Sequence, residues 1–99
     1  MKAEITVEII NKKGLHARAA AKFVKTVASY PAKVSVIKKS CNQNDDENSI
    51  SVDGSSILGL MMLGAEQHSL LNISAEGEDA KRVIDALSDL INNRFGEQE

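Results

Sequence analysis

The sequence predicts a single α+β domain of order βαββαβα: a four-stranded antiparallel sheet with three helices on one face. Three observations point there. The chain has 99 residues, enough for one modest core and too few for two domains. Four short runs alternate apolar and polar residues, while two longer stretches repeat at the helical period. Because the strands are short and mostly one-sided, an antiparallel sheet with one solvated face fits better than a parallel sheet buried on both.

Ile5, Val7 and Ile9 alternate with Thr6 and Glu8, which marks a half-buried first strand. A helix follows from about Ala17 to about Ser29, with Ala17, Ala20, Phe23, Val24 and Val27 at helical spacing. Pro31 disfavours helical backbone at Tyr30 and ends it. Val34 and Val36 mark a second strand, which gives way to a polar, acidic loop at about 40–48. Ile50 and Val52 mark a short third strand, and "DGSS" at 53–56 is a turn. Residues 57–63, "ILGLMML", read as a short helix because Ser56 before them is a good N-cap. Leu60 and Leu63 can face the core there, leaving Ile57, Leu58, Met61 and Met62 partly outside. Leu71, Ile73 and Ala75 alternate in the fourth strand. The last helix carries one apolar stripe of Ala80, Val83, Ile84, Leu87, Leu90 and Ile91. Glu78 and Asp79 stand at its positive start and Arg94 near its negative end, as the helix dipole favours. Residues 95–99 are expected to form a flexible tail. With no internal repeat, the domain spans 1–99.

Three aromatic residues and no Trp mean that the core must be aliphatic. No apolar run approaches a membrane span, and the N-terminus lacks a signal-peptide pattern. Cys41 is the only cysteine, so no internal disulfide can form and nothing indicates an oxidising compartment. The expectation is a cytoplasmic monomer. Net charge is −2 but unevenly spread. From Ile9 to Asn44 there are eight Lys and Arg residues and no acid, whereas from Asp45 onward twelve acids face three basic residues. A basic half suits an anionic partner: a phosphate, an acidic protein surface or a nucleic acid.

The candidate site is "GLHARAA". His16 stands where a helix start ordinarily carries Ser, Thr, Asp or Asn. A helix start gathers unpaired backbone amides and partial positive charge, which makes an anion site. A phosphoryl group on the ring could take bonds from the amides of Ala17 and Arg18 and a charge-assisted bond from the Arg18 guanidinium. Gly14 permits a tight entry turn, and Leu15 can staple against Ala20. From these residues alone, a phosphohistidine and an incidental surface cap remain equal alternatives.

The run Gly14, Leu15, His16, Ala17, Arg18 resembles the active-site motif of the HPr family, histidine-containing phosphocarriers of the bacterial phosphotransferase system, and of its nitrogen-related paralogue NPr. A second segment, "SSILGLMMLGA", with Ser56, Ile57, Gly59, Met61, Leu63 and Gly64, resembles that family's central helix and regulatory-serine region. The element order matches the family's open-faced β-sandwich, so the resemblance covers nearly the whole chain.

The resemblance implies that His16 accepts a phosphoryl group on Nδ1 from enzyme I and passes it to a histidine of an enzyme IIA. Arg18 would neutralise the group and the Ala17 amide would bind it. Ser56 would be a target of an HPr kinase/phosphorylase, with the N-cap as its plain alternative role. Ile57, Leu58 and Met61, with Ala21 and Lys25 of the first helix, would dock partners; exposed Met-rich surface suits changing partners. Such a protein is a carrier rather than an enzyme, and no cofactor is implied. Sugar uptake and nitrogen-related regulation both remain open. The chain departs from the family at Ala19, where Pro is usual, and in the longer loop at about 40–48.

Two other classes compete. Nucleic-acid binding is disfavoured because no aromatic residues are placed for base stacking and the pI is about 5.7. A regulatory relative that binds partners without relaying phosphate would have no need of a histidine at the cap. A metal site built from His16, His68 and Cys41 lacks ligand spacing, and His68 reads as an exposed loop residue.

Overall fold

The structure, a computed structural model, describes residues 1–39 and 50–99. The expected acidic loop at about 40–48, with Cys41, lies outside the described residues. The elements in chain order are β1 (Lys2–Glu8), α1 (Ala17–Ala28), β2 (Ala32–Lys39), β3 (Ser51–Asp53), α2 (Ile57–Met62), β4 (Leu70–Gly77) and α3 (Ala80–Asn92), followed by a 3₁₀ turn at Arg94–Gly96. This is the βαββαβα order that the sequence predicts.

The sheet runs β1-β4-β2-β3 with every neighbouring pair antiparallel. β4 is therefore a central strand, bonded to β1 from Lys2↔Glu76 to Glu8↔Leu70 and to β2 from Ala32↔Gly77 to Lys39↔Leu70. Alternation fixes which side is buried: Leu71, Ile73 and Ala75 of β4 and Val34 and Val36 of β2 point under the helices, while Lys33, Ser74 and Glu76 point away. The opposite sheet face is polar, and so the sandwich is open on one side. No helix among the described residues is long and apolar enough to cross a membrane.

α1 buries Ala19, Ala20, Phe23 and Val27, and α3 buries Ala80, Val83, Ile84, Leu87 and Ile91. α2 contributes Leu60 alone as a fully buried residue. Leu63 is half-buried against the same core.

The C-terminal segment corrects the sequence expectation. Residues 95–99 are not a free tail: Phe95 is 1 % exposed and joins the main core. It continues the α3 stripe at four-residue spacing after Leu87 and Ile91, although the helix has ended by then. Arg94 and Phe95 both take φ of 55°, a left-handed conformation that costs a non-glycine residue about 1–2 kcal/mol. Burying a phenylalanine side chain is worth about 1.5–3 kcal/mol, enough to offset most of that strain. The reversal turns the chain back off α3 toward the start of α1.

Candidate functional site

The entry to α1 is built from glycine geometry and two backbone tethers. Gly14 has φ of 70°, and a Cβ there would lie 2.5 Å from the Ala65 carbonyl oxygen, so the chain can pass only with glycine. Leu15 donates its amide to that Ala65 carbonyl at 2.9 Å and buries its side chain. His16 follows in extended conformation, φ −81° and ψ −179°, as the N-cap of α1. Its carbonyl accepts the first helical bond, from the Ala20 amide at 2.8 Å.

The His16 side chain does not cap the helix. Among the described residues, no acceptor takes the amides of Ala17, Arg18 and Ala19, which therefore remain an unpaired cluster at the positive end of α1. The ring is partly shielded, with side-chain exposure of 27 %. Arg18 is exposed beside it, and among the described residues no carboxylate pairs with its guanidinium. Ala19, in the position where the resemblance expects Pro, is fully buried, so its small side chain packs into the core while His16 and Arg18 keep their places.

Sequence reasoning missed two residues of this site. His16 Nε2 pairs with the side chain of Glu97 from the returning C-terminal segment. Asn11, fully buried, donates from Nδ2 both to Glu97 Oε1 at 3.0 Å and to the Gly14 carbonyl at 2.8 Å. Partial burial pushes the Glu97 carboxyl up. The bond from Asn11, then that from His16, and the nearby charges of His16 and Lys13 outweigh it and hold the carboxyl below its ordinary value. Nothing near Glu97 in the sequence marks it. Phe95, at the next step of the α3 stripe, was the one available signal that the tail is anchored.

The second motif lies on α2, which packs on α1. Ser56 is its N-cap, and its Oγ accepts from the Gly59 amide at 3.0 Å. Ile57, Leu58, Met61 and Met62 are all exposed, Leu58 at 70 % and Met62 at 75 %. Arg18, Ala21 and Lys25 form one exposed stripe along α1 at spacings of three and four. The structure thus brings His16, Ala17 and Arg18 to one helix start, with α2 alongside. Among the described residues no hydrogen bond joins Ser56 to the His16 turn. His68 is exposed, as expected, and its Nδ1 donates to Glu8 at 2.8 Å.

Comparison with known proteins gives consistent matches. Residues 3–93 match the family model described as PTS HPr component phosphorylation site. The chain is 45 % identical over 97 residues to the phosphocarrier protein HPr of Pseudomonas aeruginosa, covering 96 % of this chain and 97 % of that one. It is 43 % identical over 94 residues to HPr of Neisseria meningitidis serogroup A, covering 95 % and 96 %. Among solved structures, HPr from Thermoanaerobacter tengcongensis superposes with a TM-score of 0.82 at 41 % identity, covering 98 % of this chain and 99 % of that one. With a family match over nearly its whole length, and with the fold of the solved HPr structures, this chain belongs to the HPr family of phosphotransferase-system phosphocarriers.

Proposed function

We propose that His16 is the phosphoryl acceptor: its Nδ1 takes the group from the phosphohistidine of enzyme I and passes it to a histidine of an enzyme IIA. The observation that carries this reading is the cluster of unpaired amides at Ala17, Arg18 and Ala19, beside a histidine that leaves them uncapped. Those amides and the Arg18 guanidinium supply donors for the phosphoryl oxygens. Phosphoryl transfer asks chiefly for positioning and charge neutralisation, so a small domain that presents one ring suffices when the partner completes the site. The protein carries the group rather than turning over a free substrate.

The exposed apolar residues Ile57, Leu58 and Met61, with Ala21 and Lys25 alongside, form the docking surface in this reading. Ser56 is the regulatory position, open to an HPr kinase/phosphorylase. The relay serves sugar uptake or nitrogen-related regulation, and the identity of the enzyme IIA that accepts from His16 distinguishes them.

Given phosphoenolpyruvate, magnesium and a cognate enzyme I, the protein should gain one acid-labile phosphoryl group. His16→Ala should gain none and stay folded. Labelling that survives in His16→Ala would overturn the assignment.

A further inference from the structure

Glu97 stands 81 positions after His16 in the chain, yet its carboxyl group closes on the ring. The two carboxyl oxygens have separate partners: Oε2 takes His16 Nε2 and Oε1 takes the Asn11 amide. Asn11 is buried and its Nδ2 is held from the other side by the Gly14 carbonyl, in the turn that presents the histidine. A carboxylate can only accept, so Nε2 carries the shared proton, and in the neutral ring that pairing leaves the lone pair on Nδ1. Among the described residues Nδ1 has no hydrogen-bond partner.

The fold, more than the pair itself, puts Glu97 there. On one side Phe95 is locked in the core, and its carbonyl accepts from Lys22 Nζ at 2.5 Å. On the other, the Glu99 carbonyl accepts from the Lys12 amide at 2.5 Å. Side-chain exposure of 27 % for His16 and 14 % for Glu97 leaves the pair largely shielded from water, where a charge-assisted bond is stronger.

We infer that Glu97 is a positioning residue for phosphoryl transfer: it holds His16 in the tautomer whose Nδ1 is free to attack, and neutralises the ring once Nδ1 carries the group. Asn11 keeps Glu97 in place. This rests on His16 being the acceptor. In the step, the Nδ1 lone pair forms the new N–P bond while the donor's N–P bond breaks and its electron pair returns to the donor ring. His16 keeps its Nε2 proton and gains the positive charge that the donor ring loses. Glu97 meets that charge, and no proton has to enter or leave. Onward transfer reverses these changes.

The test has two arms on the full-length protein. In the first, ¹⁵N NMR of the unphosphorylated ring reads the tautomer directly. Wild type should show His16 as the Nε2–H form, and Glu97→Ala should show a mixture with the Nδ1–H form. In the second, Glu97→Gln keeps an acceptor of the same shape without the charge. Its phosphorylation by enzyme I should be about tenfold slower at saturating enzyme I, with half-saturation close to wild type. A purely structural prop would shift Tm and leave both the tautomer and the saturated rate alone. Equal tautomer ratios in wild type and Glu97→Ala, or a Glu97→Gln rate equal to wild type, would overturn the role of Glu97. If wild type itself takes no label on His16, it is the carrier reading that falls, and the tautomer arm still decides whether Glu97 sets the ring.

Discussion

Leu15 and Ala65 are joined by a backbone hydrogen bond of 2.9 Å, which ties the turn presenting His16 to the segment that leaves α2. His16 and the apolar helix beside it are thus parts of one rigid corner, although 49 residues separate the two bonded groups. Gly14, one residue earlier, makes the approach feasible because a side chain there would strike the same carbonyl.

Gly14→Ala should therefore break this corner. The positive φ alone costs a non-glycine residue about 1–3 kcal/mol, and the 2.5 Å encounter with the Ala65 oxygen adds to it. Thermal unfolding should show a fall in Tm on the order of 10 °C, by the usual scaling for a domain of this size. Phosphorylation of the folded fraction should slow as well. An unchanged Tm would mean that the turn has another accessible conformation.

Arg18 is exposed, and among the described residues no carboxylate pairs with it, so removing its charge exposes no orphaned partner. Arg18→Ala should leave stability within about 0.5 kcal/mol of wild type. Transfer from enzyme I should slow by roughly tenfold, the scale of one charge-assisted bond. Wild-type association should weaken with rising salt, and the variant should respond less. Stopped-flow or quenched-flow kinetics at two ionic strengths would check both.

Ser56→Asp separates the capping role of Ser56 from its place beside the proposed docking surface. Aspartate caps as well as serine does, so the bond from the Gly59 amide can persist and Tm should hold or rise slightly. The new charge lies next to Ile57, Leu58 and Met61, which are exposed here and would be desolvated on docking. Phosphorylation of His16 by enzyme I should slow through a raised half-saturation. If transfer is unchanged, α2 is not the docking surface.

Glu97 predicts an acid-sensitive latch. Its carboxyl is held below the ordinary 4.5 of a glutamate. A lowered folded-state value means that its contribution is fully present above pH 4.5 and is lost as pH falls through the folded-state value. Stability of wild type relative to Glu97→Gln should therefore be greatest near neutrality and shrink below about pH 4.5. Asp53, also lowered through its bonds from Ser55, is common to both proteins and cancels in the comparison. Melting curves of the two proteins from pH 7 to pH 3 would test it.

The sequence by itself determined the element order, the buried face of each strand and helix, and the histidine at the helix start. These follow from local rules. Alternation puts Leu71, Ile73 and Ala75 on one face, four-residue spacing puts Leu87 and Ile91 on one stripe, and Ser56 caps its own helix through Gly59. The exposure of Ile57, Leu58, Met61 and Met62 was legible for the same reason, since a short helix cannot bury its whole circumference. The tertiary structure alone decided what touches His16. Glu97 reaches the ring, and Asn11 reaches Glu97, because β4 lies at the centre of the sheet, α3 crosses back over it, and two left-handed residues at Arg94 and Phe95 reverse the chain. No local spacing encodes a contact across 81 positions. It arises from the sum of the chain's packing, with the burial of Phe95 offsetting the strain of the reversal.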